Sequence, residues 1–302
     1  MQHFFDYALL FAYAGVMLLL GLSLGISDFR DILRYPKAVL VGLAAQLLLL
    51  PALAFLLVSI FPLPLPLKVG FVLLSACPGG STSNLASYML RGNVALSISL
   101  TAINSFAVIV SVPLVMGLAA MVLGFEQGEL SMPFWDTVWK IFLLVVLPVG
   151  AGLLFRTRWP DTARRLEGIF KFVMPVLLAG SIVGVAFFGE GDGPKVGMED
   201  YLDALPYALL LNVSSMVMGY GLAWLASLKN RERFTIGIEV GIQNSALAIA
   251  IASGPLFLGN PMLAVPAIVY LLFPFFTAML FGALANRKEL IAILFPRSSK
   301  HS

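Results

Sequence analysis

Charged residues are scarce in this sequence. Asp, Glu, Lys and Arg make up 12% of its 302 residues, whereas typical soluble domains contain about a quarter. Apolar residues make up 60%, and the mean hydropathy is +0.95. Such a chain has too little polar surface to cover an apolar core in water. The composition therefore excludes a water-soluble globule and indicates that the lipid bilayer is the solvent.

Cysteine and histidine are nearly absent. The single cysteine, Cys77, excludes an intrachain disulfide framework and a cysteine-rich metal site. The two histidines, His3 and His301, lie at the ends of the chain, and neither an HExxH nor a GxSxG motif occurs. An intramembrane enzyme is therefore a remote alternative, and we expect no enzymatic activity.

The net charge of +3 does not predict a nucleic-acid partner, because the basic residues are distributed over short loops rather than along one face. No basic segment precedes the first apolar run, since the chain begins MQHFFD. We therefore expect this run to be a retained span rather than a signal peptide.

Nine apolar runs, separated by charged or Gly/Pro-rich breaks, are long enough to cross a bilayer, which takes about 20 residues per helix. An odd number of spans places the two termini on opposite sides of the membrane. The predicted spans are residues 7–25, 38–60, 67–90, 94–124, 136–155, 169–188, 202–228, 235–255 and 262–286.

The distribution of basic residues predicts the orientation. Fifteen of the 19 lysines and arginines follow spans 1, 3, 5, 7 and 9, and the opposite side holds only Lys68, Lys140 and Lys195. Lys171 lies at the cytoplasmic entry of span 6. By the positive-inside rule, the N-terminus is outside and the C-terminal tail, residues 287–302, is cytoplasmic, as in a multi-pass protein of the cell (inner) membrane.

Spans 3 and 8 are polar and rich in small residues. Span 3 contains CPGGSTSNLAS (Cys77 to Ser87), and span 8 contains IEVGIQNSALA (Ile238 to Ala248). Pro78 and its two following glycines predict a break in the helix. The two stretches run in opposite directions through the membrane, which predicts an inverted-topology repeat with a substrate and ion site at the broken helices.

Glu239 is the one carboxylate predicted at membrane depth, and no basic residue lies deep in a span to pair with it. Its partner is then a proton or a bound cation. The hard oxygen ligands of Ser83, Asn84, Gln243 and Asn244 favour the cation. Alternatively, Glu239 lies at a cytoplasmic mouth, since only roughly 9 Å of helix separates it from Arg233.

At these residues the sequence resembles the bile acid:sodium symporter family, in its nine-span form, over essentially the whole length. Three segments carry the resemblance: LSLGISDFRDILRYPKAVLVGLAAQLLLLP, CPGGSTSNLASYMLRGNVALS and TIGIEVGIQNSALA. It implies an all-α polytopic membrane protein in which a panel domain and a core domain pack together, with spans 3 and 8 as crossing discontinuous helices. The panel would comprise about residues 7–25, 136–155 and 169–188, and the core about 38–124 and 202–286.

The resemblance also implies two sodium ions and their ligands. The first site would comprise Ser83, Asn84, Ser97, Thr101 and Glu239. The second would comprise Gln46, Glu239 and Gln243, with the backbone carbonyls of Val240 and Ile242. Four in-span amides are candidate substrate ligands: Asn84, Asn244, Asn104 and Asn212.

The implied function is a sodium-coupled symporter that imports a small organic anion by alternating access. Bile-acid-binding relatives have a His-Asn pair where this chain has Pro274 and Phe275, so we expect a monocarboxylate rather than a bile acid. A proton-coupled or uncoupled organic-anion carrier of the same fold is the alternative. The sequence does not predict the oligomeric state or the identity of the anion.

Overall fold

The computed structural model describes residues 2–25, 34–125, 133–188, 196–254 and 256–285, and the regular secondary structure in these ranges is helical. The helices, in chain order, are α1 Gln2–Ser23, α2 Pro36–Ile60, α3 Leu65–Ala76, α4 Ser81–Met89, α5 Val94–Leu123, α6 Phe134–Arg158, α7 Pro160–Phe188, α8 Met198–Leu225, α9 Asn230–Gly241, α10 Ser245–Ser253, α11 Pro261–Leu271 and α12 Pro274–Ala285.

The helices coincide with the apolar runs of the sequence. Within the described ranges, five stretches are long and apolar enough to cross a membrane: α2, α5, α6, α8, and α11 continued through α12. Two shorter helical stretches are also apolar: Tyr7–Ser23, which is part of α1, and the whole of α3. These are the features of a polytopic membrane protein. The largest shift from a predicted boundary is at α7, which begins at Pro160 rather than at residue 169. The predicted tail, 287–302, lies outside the described residues.

Polar side chains mark several helix starts. The Asn93 side chain accepts a hydrogen bond from Leu96 N (3.1 Å) where α5 begins, and Asn244 accepts one from Leu247 N (3.0 Å) where α10 begins. Such caps satisfy amides that have no partner inside the helix. Gly124, with φ of 69°, ends α5 in the left-handed conformation that glycine adopts without strain.

Helices α2 and α6 each contain one wide π turn, Ala45–Leu49 and Phe142–Val146. Both turns are followed by the dipeptide Leu-Pro, at Pro51 and Pro148. Proline has no N–H to donate, and its ring collides with the carbonyl four residues earlier in an α-helix. The wider turn avoids this collision and does not need the missing N–H, which explains why each π turn lies just before a proline.

The two polar predicted spans, 67–90 and 235–255, are both broken. Helix α3 ends at Ala76 and the chain resumes as α4 at Ser81, while α9 ends at Gly241 and α10 starts at Ser245. The two breaks lie against each other: Gly79 and Gln243 form an antiparallel bridge, and Asn244 N donates to Pro78 O (2.8 Å). We call residues 77–80 together with 242–244 the crossing.

Helix α1 packs mainly against α6 and α7. Gly21 and Gly152 lie where α1 and α6 approach so closely that a Cβ on either would collide with backbone of the other helix. Arg156 of α6 joins the ends of all three helices: it donates to Leu22 O (2.5 Å) and pairs with Glu167 of α7 (3.2 Å). The three helices are thus held together by close packing and by one arginine.

Candidate functional site

Glu239 lies at the crossing, in the last turn of α9, with only 1% of its surface exposed. Its carboxylate accepts hydrogen bonds from Thr101 Oγ1 to Oε1 (2.5 Å) and from Ser97 Oγ to Oε2 (2.8 Å), both from α5. Ser83 of α4 is a third hydroxyl neighbour. Two helices, α4 and α5, therefore supply the hydroxyl neighbours of one buried carboxylate on a third helix, α9.

The oxygens around Glu239 outnumber the protons available to them. Besides the two carboxylate oxygens, Asn84 Oδ1 lies 2.8 Å from Ser97 Oγ and 3.3 Å from Thr101 Oγ1. Each hydroxyl has a single proton, so two protons serve three acceptor oxygens. The Ser83 hydroxyl donates to Gly80 O (2.6 Å). A buried cluster with this surplus of hard acceptors is suited to a cation.

The backbone of the crossing comes very close to this carboxylate. A Cβ placed on Gly79 would lie 2.5 Å from Glu239 Oε1 and 3.4 Å from Glu239 O. Only glycine leaves room for the carboxylate here, so the break of the first helix forms one wall of the cluster.

A second polar group lies against the crossing. Gln46, in the π turn of α2, donates through Nε2 to Cys77 O (3.0 Å) and to Gln243 Oε1 (2.8 Å). Gln243 Nε2 donates to Val240 O (2.5 Å). Gln46 is 2% exposed, and its Oε1 has no hydrogen-bond partner among the described residues. An unpaired buried carbonyl oxygen of this kind is available to a cation or an ordered water.

The structure brings most of the predicted ligands together. Ser83, Asn84, Ser97 and Thr101 surround Glu239, and Gln46, Gln243 and the Val240 carbonyl form the second group. Ile242 is buried, and its N–H donates to Ile238 O (2.9 Å). No hydrogen bond joins Glu239 to Gln46 or Gln243 among the contacts of the described residues.

The four predicted substrate amides have different surroundings. Asn84 is partly exposed beside the first group, and Asn244 Nδ2 faces Tyr13 OH of α1 (3.4 Å). Asn104 is 1% exposed, and neither amide atom has a partner among the described residues. Asn212 is fully buried and hydrogen-bonded to Gly241 O, Tyr270 and Thr277.

Three hydroxyl residues at this site escape sequence reasoning: Tyr13, Tyr270 and Thr277. Each is a lone polar residue in an apolar run, and such residues are by default helix-packing hydrogen bonders. Both tyrosines are fully buried, and a buried tyrosine hydroxyl usually has a hydrogen-bond partner. This signal is visible only in the structure.

Comparison with known proteins assigns the chain to a family. Residues 10–192 match the model of the Sodium Bile acid symporter family. The chain belongs to this family. The predicted resemblance is thereby confirmed, and the family is one of transporters rather than enzymes.

Curated relatives of this symporter family member come from plants, bacteria and animals. A rice protein, "Probable sodium/metabolite cotransporter BASS2, chloroplastic", is 34% identical over 84% of this chain and 58% of its own length. The Bacillus subtilis "Uncharacterized sodium-dependent transporter YocS" is 28% identical over 84% of this chain and 75% of its own length. The human "P3 protein" is 29% identical over 76% of this chain and 47% of its own length. The chain thus spans less than two thirds of the rice and human relatives.

Pro274 and Phe275, where the sequence departs from the bile-acid-binding pattern, have apolar surroundings in this symporter family member. Pro274 is buried at the start of α12, and Phe275 packs against a buried cluster that includes Ala86, Phe234 and Ile238. These side chains give a substrate no hydrogen-bonding group at this point.

Proposed function

We propose that this protein is a sodium-coupled symporter that carries a small organic anion into the cell. The observation that carries the proposal is the surplus of acceptor oxygens around Glu239: Ser97 and Thr101 donate two protons to a buried cluster of three acceptor oxygens, and a cation would balance the remaining negative charge. Buried side chains of the described residues include no lysine, arginine or histidine. The printed names of the sodium-dependent relatives support the choice of ion.

The proposed sodium sites share Glu239. The first uses Ser83, Asn84, Ser97 and Thr101 with the carboxylate, and their mutual contacts support it. The second uses Gln46, Gln243 and the carbonyls of Val240 and Ile242, and the unpaired Gln46 Oε1 supports it. Helices α3 and α9 both end at the crossing, so the partial negative charge of two helix C-termini also favours cations there.

Electrostatics would couple the anion to sodium. Without sodium, the Glu239 carboxylate repels an anion that approaches the crossing; with sodium bound, that repulsion is removed and the anion site is complete. Anion affinity should therefore rise with sodium concentration, and sodium affinity with anion concentration.

The substrate we propose is a small monocarboxylate. Asn84 and Asn244 are the proposed amide donors to its carboxylate, with Asn104 and Asn212 as further candidates. Helices α4 and α10 begin at the crossing, and helix N-termini favour anions. The apolar Pro274 and Phe275 argue against a bile acid.

We further propose nine spans with the N-terminus outside, arranged as an inverted repeat. Helices α1, α6 and α7 would form the panel, and the remaining helices the core, which moves against the panel to expose the crossing to each side in turn. The close packing of α1 with α6 and α7, and the Arg156 contacts that join them, support the panel as one unit.

Thermal stability of the purified protein tests the proposal. Sodium chloride should raise the melting temperature relative to equal potassium chloride, and Glu239→Gln, which keeps shape but removes charge, should abolish the increase. The matched control is Glu232→Gln, two turns earlier in α9, which should respond to sodium like the wild type.

A ligand screen then identifies the anion. Small carboxylates and sulfonates are added with and without sodium, and any that stabilise only with sodium are tested for uptake into vesicles. Equal uptake in potassium would overturn the proposal, and uptake that follows an imposed pH gradient in potassium would replace it with proton coupling.

A further inference from the structure

A buried hydrogen-bond network holds the end of helix α9. Tyr270 OH of α11 donates to Gly241 O (2.5 Å), and Asn212 Nδ2 of α8 donates to the same oxygen (2.6 Å) and to Tyr270 OH (3.1 Å). Thr277 Oγ1 of α12 donates to Asn212 Oδ1 (2.5 Å). Asn212 and Tyr270 are fully buried. We call Asn212, Tyr270 and Thr277 the clamp.

The clamp replaces the partner that Gly241 O loses at the break. In an uninterrupted helix, Ser245 N would donate to Gly241 O, but here it donates to Gln243 O (2.9 Å). An unpaired carbonyl would be costly at this depth. The clamp supplies two donors to the two lone pairs of this oxygen, so the carbonyl is fully satisfied by two other helices, α8 and α11.

The clamp fixes one peptide plane at both ends. Gly241 O is held by Asn212 and Tyr270, and the N–H of the same peptide unit, from Ile242, donates to Ile238 O (2.9 Å). Glycine is otherwise the residue with the freest backbone. The held plane lies between the carbonyls of Val240 and Ile242, so its orientation determines where both point.

We infer that the clamp is a positioning device for the second sodium site, and that it sets the affinity of that site for sodium. The inference rests on the proposed function, because Val240 and Ile242 are ligands only in that proposal. The clamp residues are not among the proposed sodium ligands: Asn212 and Tyr270 donate to Gly241 O, and Thr277 donates to Asn212. Loosening the clamp lets the Gly241 peptide rotate, which would displace the Val240 and Ile242 carbonyls from the positions that the proposed site requires.

The test measures sodium-dependent thermal stabilisation of the purified full chain, with sodium chloride replaced by potassium chloride at constant ionic strength. Tyr270→Phe and Thr277→Val should each raise the half-saturating sodium concentration by about 3- to 10-fold, the effect of one lost hydrogen bond. The sodium response should also become less cooperative, because one of two coupled sites is weakened.

Two controls separate positioning from general stability. Tyr220→Phe removes a tyrosine hydroxyl from α8 that bonds Asn230 Oδ1 (3.2 Å), remote from the clamp, and should leave the half-saturating concentration unchanged. Thr277→Ser retains the hydroxyl that Asn212 needs and should restore the wild-type value.

The outcomes distinguish the inference from the proposed function. If the clamp variants melt at a lower temperature in potassium but keep the wild-type half-saturating sodium concentration, the clamp is only structural and the inference is overturned. If the wild type itself shows no sodium response, the proposed function fails first, and the inference falls with it.

Discussion

At the residue scale, Gly79 determines how closely the first broken helix approaches Glu239. A Cβ at this position would lie 2.5 Å from the carboxylate Oε1, well inside van der Waals contact, whereas a Cβ on the neighbouring Gly80 would meet nothing nearer than Thr82 N at 3.9 Å. Two adjacent glycines therefore have different steric demands, and the difference can be tested.

We expect Gly79→Ala to raise the half-saturating sodium concentration by at least about tenfold. Overpacking costs typically about 1–3 kcal/mol, and about 1.4 kcal/mol corresponds to a factor of ten in affinity. Here the added methyl displaces the carboxylate from its hydroxyl partners. Sodium-dependent thermal stabilisation measures the effect. Gly80→Ala is the matched control and should behave like the wild type; an equal effect of both substitutions would contradict the steric argument.

The sequence predicts some residues of the site far better than others. Glu239, Ser83 and Asn84 could be found because a carboxylate and clustered polar residues are conspicuous in apolar spans. Gln46 and Thr101 came only from the family resemblance, since a lone polar residue in a span has many explanations. The partners of Asn212 could not be predicted, because they come from helices distant in the chain.

At the scale of elements, the two π turns offer a comparison within one molecule. Each lies just before a Leu-Pro pair, and in each the N–H of that leucine donates to the carbonyl five residues earlier, Leu50 to Ala45 and Leu147 to Phe142. Only the first turn carries a residue that contacts the crossing, Gln46. The same backbone irregularity thus contributes to the candidate site in α2 and not in α6.

Replacing Pro51 by alanine should allow α2 to tighten into a regular α-helix, because the new N–H can donate to the carbonyl four residues earlier. Gln46 would then shift relative to Gln243 and Cys77, and we expect the half-saturating sodium concentration to rise by about 3- to 10-fold. Pro148→Ala makes the same change in α6 and should leave the sodium response unaltered. If both variants respond alike, the π turn of α2 has no special role at the crossing.

At the scale of the whole molecule, Tyr13 connects two groups of helices. It belongs to α1, which packs with α6 and α7, yet its hydroxyl lies 3.4 Å from Asn244 Nδ2 at the crossing. The Tyr13 hydroxyl itself donates to Met17 Sδ (3.2 Å), a weak acceptor. This contact is one that the proposed movement of core against panel would have to break.

The positions of the helices along the chain could be predicted better than the contacts between them. Hydropathy located the helices closely, because residues that cross a bilayer must be apolar throughout, and the Pro-Gly-Gly sequence located the first break. Which helices touch was not predictable from composition, because the lipid-facing and protein-facing sides of a membrane helix are similarly apolar. The close approach of α1 to α6 at Gly21 and Gly152 is one such contact.

Cys77 can serve as a reporter of the proposed conformational cycle. It is the chain's only cysteine and is fully buried at the crossing, where Gln46 binds its carbonyl. A thiol reagent can reach it only when the crossing opens. Alkylation of the unmodified protein should therefore be slow in sodium and faster in potassium, and Cys77→Ala should give the background. Equal rates in the two salts would show that sodium does not hold the crossing closed.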